Sequence, residues 1–124
     1  MNVSPVTLAA RGFEKPDEVR EFPNGRVAVI HLGDVTVGRG EYQPGWRWSE
    51  NVKPIAGTDS CQAAHTGYVL SGRMHVVMDD GSEGEAGPGD AFVIAPGHDA
   101  WIVGSEQCVF LDFSGMTKYA VPIT

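Results

Sequence analysis

Arg73-Met74-His75-Val76-Val77-Met78-Asp79-Asp80-Gly81-Ser82 decides the fold. Met74, Val76 and Met78 fall on one side of an extended chain, and Arg73, His75 and Val77 on the other. That alternation has the period of a strand with one buried face, and Asp79-Asp80-Gly81-Ser82 has the chemistry of a turn, so the stretch reads as part of a hairpin. Toward the C-terminus the pattern repeats. Gly87-Pro88-Gly89-Asp90 turns the chain, Ala91 to Ala95 is a buried-type strand, Pro96-Gly97 turns it again, and Trp101 to Val103 and Cys108 to Phe113 supply the last strands. Toward the N-terminus, Gly67 to Ser71 closes at Gly72, Glu41 to Trp48 is a strand broken at Pro44-Gly45, Val35 and Val37 flank Thr36, and Arg26 to Leu32 is rich in β-branched residues. Only Lys15-Pro16-Asp17-Glu18-Val19-Arg20, in the N-terminal stretch, predicts a helical turn. Strands of about five to seven residues with turns about every ten indicate an all-β antiparallel sandwich or barrel, with its chemistry on the loops at the open ends.

Composition bounds the rest. The 124 residues suffice for one domain with a sizeable core, and 42% apolar with 20% charged residues is ordinary for a globular protein. The formal net charge of -7 argues against nucleic acid as a partner. No apolar run is long enough for a membrane span and no charged-then-apolar leader is present, so no membrane association is expected. Two cysteines, Cys61 and Cys108, do not make a disulfide framework, and a cytoplasmic location is expected. A Gly-rich phosphate loop, a G-x-S-x-G elbow and a CxxC pair are all missing.

Two stretches resemble the paired motifs of the cupin superfamily, small β-barrels of jelly-roll topology. Tyr68-Val69-Leu70-Ser71-Gly72 is similar to the end of the first motif, and Gly89-Asp90-Ala91-Phe92-Val93-Ile94-Ala95-Pro96-Gly97 to the start of the second. The resemblance covers most of residues 35 to 113, and the wording around Gly45-Trp46-Arg47-Trp48 and Ala95-Pro96-Gly97-His98 is similar to that of small stand-alone bacterial cupins. It implies a cupin-like antiparallel barrel over residues 26–124, with residues 1–25 as a short irregular arm packed on the barrel or on a partner. It also implies a mononuclear metal site, but here the ligand positions carry other residue types. His65 stands where the family has glutamate, Asp59 and Cys61 where it has its first two histidines, and Ala100 in the place of the last, with His98 two residues earlier.

Thiolate, imidazole and carboxylate are competent ligands, so Cys61, His65, His98 and Asp59 are the candidate set for one transition-metal ion: zinc, iron, copper or nickel. The alternatives are a buried inert thiol for Cys61, a core histidine for His65, a surface pair with Asp99 for His98, and a loop cap within Gly57-Thr58-Asp59-Ser60 for Asp59. Geometry sets a condition. In a straight strand Cys61 and His65 are about 13 Å apart, far beyond ligands that sit about 2.0–2.3 Å from a shared ion, so the chain must bend at Gln62-Ala63-Ala64. As a thiolate–imidazole nucleophile, the same pair lacks any orienting third group at recognisable spacing. His75 is read as solvent-facing, and His31 as a strand-end residue without a partner.

Trp46 and Trp48 share one side of a regular strand and, with Tyr68 and Trp101, are the candidate walls of a small-molecule pocket; core and interface roles stay open for the tryptophans. Tyr42 and Tyr68 add hydroxyl donors. The expected function is a small-molecule-binding cupin with an atypical Cys/His metal site at its open mouth, which the resemblance extends to an oxygenase- or isomerase-like enzyme on a small organic acid, phenol or sugar-like substrate. The rivals are a metal-free sensor or accessory module and a structural dimer; a homodimer is the expected assembly.

Overall fold

The computed structural model describes residues 7–116 and 119–121. Nine strands and two short helices follow in the order β1 (Glu18–Phe22), β2 (Gly25–Leu32), β3 (Val35–Tyr42), α1 (Trp48–Asn51), α2 (Lys53–Ala56), β4 (His65–Ser71), β5 (Met74–Met78), β6 (Glu83–Ala86), β7 (Ala91–Ile94), β8 (His98–Ile102) and β9 (Cys108–Asp112). The hairpin read from the sequence is β5–β6, with Met74 opposite Ala86 and Val76 opposite Gly84. Every ladder is antiparallel. Six strands form one sheet in the order β1-β2-β3-β9-β4-β7, and three form the other in the order β6-β5-β8.

The two sheets face each other across one core. Strand alternation delivers their inner faces: His65, Gly67 and Val69 from β4, Met74 from β5, and His98, Ala100 and Ile102 from β8 are all buried. At one end of the core Phe22, Tyr42, Trp46, Phe110 and Tyr119 form an aromatic cluster, with Tyr42 stacked on Phe110 at 5.0 Å between centroids. The architecture is a jelly roll, but among the described residues hydrogen bonding does not close it into a barrel. Among the described residues no ladder joins the three-stranded sheet to the other; isolated bridges, Cys61 with His98 and Arg47 with Trp101, tie it to neighbouring chain. β6 and β7 remain unpaired sheet edges among the described residues.

Two local expectations are corrected. The helical turn at Lys15–Arg20 is absent: within the arm, β1 runs from Glu18 and pairs with β2 over five registered positions. A single isolated helical turn is marginal, whereas the free edge of β2 satisfies each backbone group it meets. Conversely, Trp48 does not continue a strand from Trp46. It opens α1, and α2 follows with Pro54 in its first turn and ends at Gly57 in the left-handed region (φ 78°). Helices this short do not persist alone; burial of Trp48 and Val52, about 1.5–3 kcal/mol per large apolar side chain, holds them on the core. Among the described residues no helix is long and apolar enough to cross a membrane.

Candidate metal centre

Cys61 lies after α2 in a connection that touches the N-terminal end of β8. Its N–H donates to His98 O at 2.8 Å, and its carbonyl accepts from Gly97 N–H at 2.7 Å. This tie turns the chain before β4 begins at His65, and the required bend at residues 62–64 is present. The Cys61 Sγ to His65 Nε2 distance is 3.7 Å. His98 enters from β8, so the three donor atoms lie within 4.8 Å of one another, all buried. Two ligands on one ion at ordinary bond lengths are separated by about 3.5 Å, and the Cys61–His65 distance matches that.

Each imidazole is oriented from behind. His98 Nδ1 is 2.8 Å from Ala95 O. A carbonyl only accepts, so Nδ1 carries the proton and Nε2 is left to bind. His65 Nδ1 donates to Asp112 Oδ2 from β9. Asp112 is 1% exposed, and its Oδ1 accepts from Ser114 N–H at 3.0 Å and Gly115 N–H at 2.8 Å. Gly115 passes so close to His65 that a Cβ there would collide with the ring Nδ1 and with Ala64 O, at 2.8 Å from the latter. The carboxylate and the glycine together lock the ring.

Electrostatics follow from this arrangement. Burial works against the charged form of His65, but the Asp112 hydrogen bond and then that of Cys61 outweigh it and lift the imidazole to about 9. Burial likewise pushes the Cys61 thiol up, and hydrogen bonds from His65 and His98 overcome it and bring the thiol down to about 6. Cys108 has only the opposing influences, burial and then Glu106, and is pushed up to about 11. Of the two free cysteines, only Cys61 is prepared as a thiolate.

The centre borders a partly open chamber of about 20 Å³, close to the space of a single water molecule, walled by Tyr42, Trp46, Trp48, Phe110 and Tyr119 as well as by the two histidines. Tyr42 donates its hydroxyl proton to Tyr119 Oη at 3.0 Å, and burial holds both phenols well above their usual range. Trp46 Nε1–H is buried and has no acceptor among the described residues. An unpaired buried donor costs about 1–3 kcal/mol.

No protein-family model matches the sequence, and neither does any curated protein. Solved structures do match. A Rhizobium leguminosarum protein of unknown function superposes with TM-score 0.63 at 18% identity, over 89% of this chain and 98% of the other. The polyketide cyclase RemF from Streptomyces resistomycificus gives 0.60 at 20% identity, over 88% of this chain and 80% of its own. A cupin-2 domain protein from Rhodospirillum rubrum gives 0.55 at 20% identity, over 88% and 68%. The chain has the cupin fold.

On this cupin scaffold the candidate residues separate. Cys61, His65 and His98 converge, and His98 takes an inward position of β8 on the same face as Ala100. Asp59 does not join them. Its side chain is fully exposed beyond the end of α2 and faces Lys53 Nζ at 3.8 Å, because Gly57 turns the chain outward before Cys61 turns it back. Trp46 and Trp48 are both core residues and chamber walls. Tyr68 and Trp101 are not: Tyr68 alternates with His65 onto the outer face of β4, and Trp101 is on the outer face of β8, stacked on His75 and capped by the Arg47 guanidinium at 4.2 Å. His75 pairs with Glu83 and Glu85 on the outer face, and His31 does find a partner in Thr36 Oγ1 at 3.1 Å. Asp112 was not singled out in the sequence. The only signal for it is the alternation of β9, which puts Cys108, Phe110 and Asp112 on one face and so a carboxylate in the core.

Proposed function

We propose that Cys61, His65 and His98 together bind one transition-metal ion and that the protein is an enzyme acting on a small organic molecule at that centre. The observation that carries this reading is the commitment of both Nδ1 atoms to acceptors, Asp112 and the Ala95 carbonyl, which leaves two Nε2 atoms facing one thiolate in a buried chamber. The donor set fits: one sulfur and two imidazole nitrogens suit zinc, iron, copper or nickel and not calcium or magnesium. Three protein donors leave a coordination position open, and a bound ion would supply Lewis acidity toward a polar group there. The chain's own residues supply the rest. Asp112 stabilises and orients His65. Tyr42, Phe110 and the indoles exclude bulk water, and the Tyr119 ring packs edge-on against His65, with centroids 5.5 Å apart.

One observation favours a second reading. Cys61 Sγ and His65 Nε2 already partner each other at 3.7 Å, so the same chamber serves a metal-free binding module. Elemental analysis of untagged protein separates the two. We expect about one equivalent of metal in the native chain and less than a tenth in Cys61→Ala and His65→Ala, because loss of one of three ligands removes the site. Substoichiometric metal in the native protein, with small-molecule binding retained in both variants, would leave the module standing instead. Both cysteines are free, which accords with the cytoplasmic location we assign. A homodimer would cover the exposed Tyr68, Leu70 and Val93 on the outer face of the six-stranded sheet, and sedimentation equilibrium tests that assembly.

A further inference from the structure

The chamber has a wider neighbour. A groove of about 450 Å³ opens between β6 and β7, the two edges at which the sheets fail to meet. Met74, Phe92 and Ile94 line both spaces, so these three side chains form the boundary between groove and chamber. The sizes divide the labour. The groove falls within the volume range of small-molecule sites, roughly 300–1,000 Å³. The chamber holds only a group about the size of a water molecule.

Chemistry narrows the occupant further. Met74, Val76 and Met78 project from one face of β5 into the groove and give it a flexible apolar floor. No lysine or arginine lines either space among the described residues, so a carboxylate or phosphate buried in the groove would have no cationic side chain as partner. Trp46, a wall of the chamber and 3% exposed, carries an Nε1–H that no atom of the described residues accepts. A small neutral oxygen acceptor answers both facts.

We infer that the substrate lays an apolar body in the β6–β7 groove and passes one uncharged oxygen, a carbonyl or hydroxyl, between Met74, Phe92 and Ile94 to accept the Trp46 Nε1–H. This rests on the reading of the chamber as the reaction site and adds to it the class of molecule and the direction of approach. Trp46 is then a specificity-determining residue.

Isothermal titration calorimetry with 4-phenyl-2-butanone and with butylbenzene, which has a comparable skeleton without the oxygen, tests the inference. On the native protein the ketone should bind saturably and about tenfold more tightly than the hydrocarbon, and in Trp46→Phe, which keeps an aromatic wall, the preference should fall below about twofold. Ile94→Trp fills the boundary and Met78→Trp fills the more exposed groove, so the test survives if one of them misfolds; each should weaken both probes by about tenfold or more. No saturable binding of either probe overturns the inference, as does a ketone preference that survives Trp46→Phe or unchanged binding in the folded tryptophan variants. Metal analysis of the same samples keeps the readings apart. A metal-free native chain that shows the Trp46-dependent preference refutes the metal centre and sustains the groove; a chain with one equivalent of metal and no preference does the reverse.

Discussion

His65 and His75 each face a carboxylate from a neighbouring strand, yet they belong to different kinds of chemistry. His65 meets one buried acceptor, Asp112, whose second oxygen is already held by two backbone N–H groups. His75 meets two exposed ones, Glu85 at 3.0 Å from Nδ1 and Glu83 at 2.6 Å from Nε2, with Trp101 stacked on its ring at 4.7 Å. Both of its nitrogens are occupied, so His75 has no atom left for a ligand. His65 keeps Nε2 free for Cys61 or an ion. The pairs teach that burial alone does not make a histidine useful. What matters is that one nitrogen is held rigidly while the other faces a hollow.

Removing the buried carboxylate should break the contrast most severely. Asp112→Ala leaves His65 Nδ1 and the Ser114 and Gly115 N–H groups without their acceptor, and urea denaturation should show a loss of about 3–5 kcal/mol. Asp112→Asn keeps the shape but not the charge, and metal affinity measured by competition with a chelator should fall about 10- to 100-fold. Retention of native affinity by this variant would mean that Asp112 does not orient the ligand.

Crowding the ring sharpens the comparison from the steric side. Gly115→Ala places a methyl group against His65 Nδ1, and the ring cannot retreat while Asp112 holds it. A stability loss of about 1–3 kcal/mol is expected, together with weaker metal binding. No alanine is squeezed in this way at Gly84, between the two glutamates that hold His75, where a Cβ meets open space, so Gly84→Ala should leave metal content unchanged.

The smallest effect belongs to the exposed pair. Hydrogen bonds from Glu85 and then Glu83 raise the His75 pKa above its ordinary value. A raised folded pKa means that the protonated form is favoured by folding. The contribution is therefore complete below the unfolded value of about 6.5 and is lost as pH rises through the raised folded value. Solvent screens this pair, and Glu83→Gln with Glu85→Gln should cost no more than about 1 kcal/mol at pH 6 and less at pH 9. NMR titration of the His75 ring should show its midpoint moving down in the double variant, while metal content stays constant.

Much of the fold was legible because strand signals are local. The Met74–Met78 alternation, the Asp79–Ser82 turn and the glycine and proline breaks each occupy a few consecutive residues, and hydrogen bonding between neighbouring strands follows from them. Trp46 and Trp48 misled for a related reason. Their two-residue spacing is strand-like, but packing against the core, not spacing, folds Trp48 into α1. Asp59 misled because motif position ignores the outward turn at Gly57. Cys61 and His65 were visible as a pair, together with the condition that the chain bend between them.

The sequence by itself determined the antiparallel strands, their buried faces and the candidate thiol and imidazoles, since each depends on residues close along the chain. Only the tertiary structure decided which donors share a hollow. Cys61, His65, His98 and Asp112 come from a connecting segment and three different strands, and their separations are set by how two sheets pack across a core. The reason is physical: alternation tells each side chain which way to face, but the neighbour it finds there is chosen by elements distant in sequence.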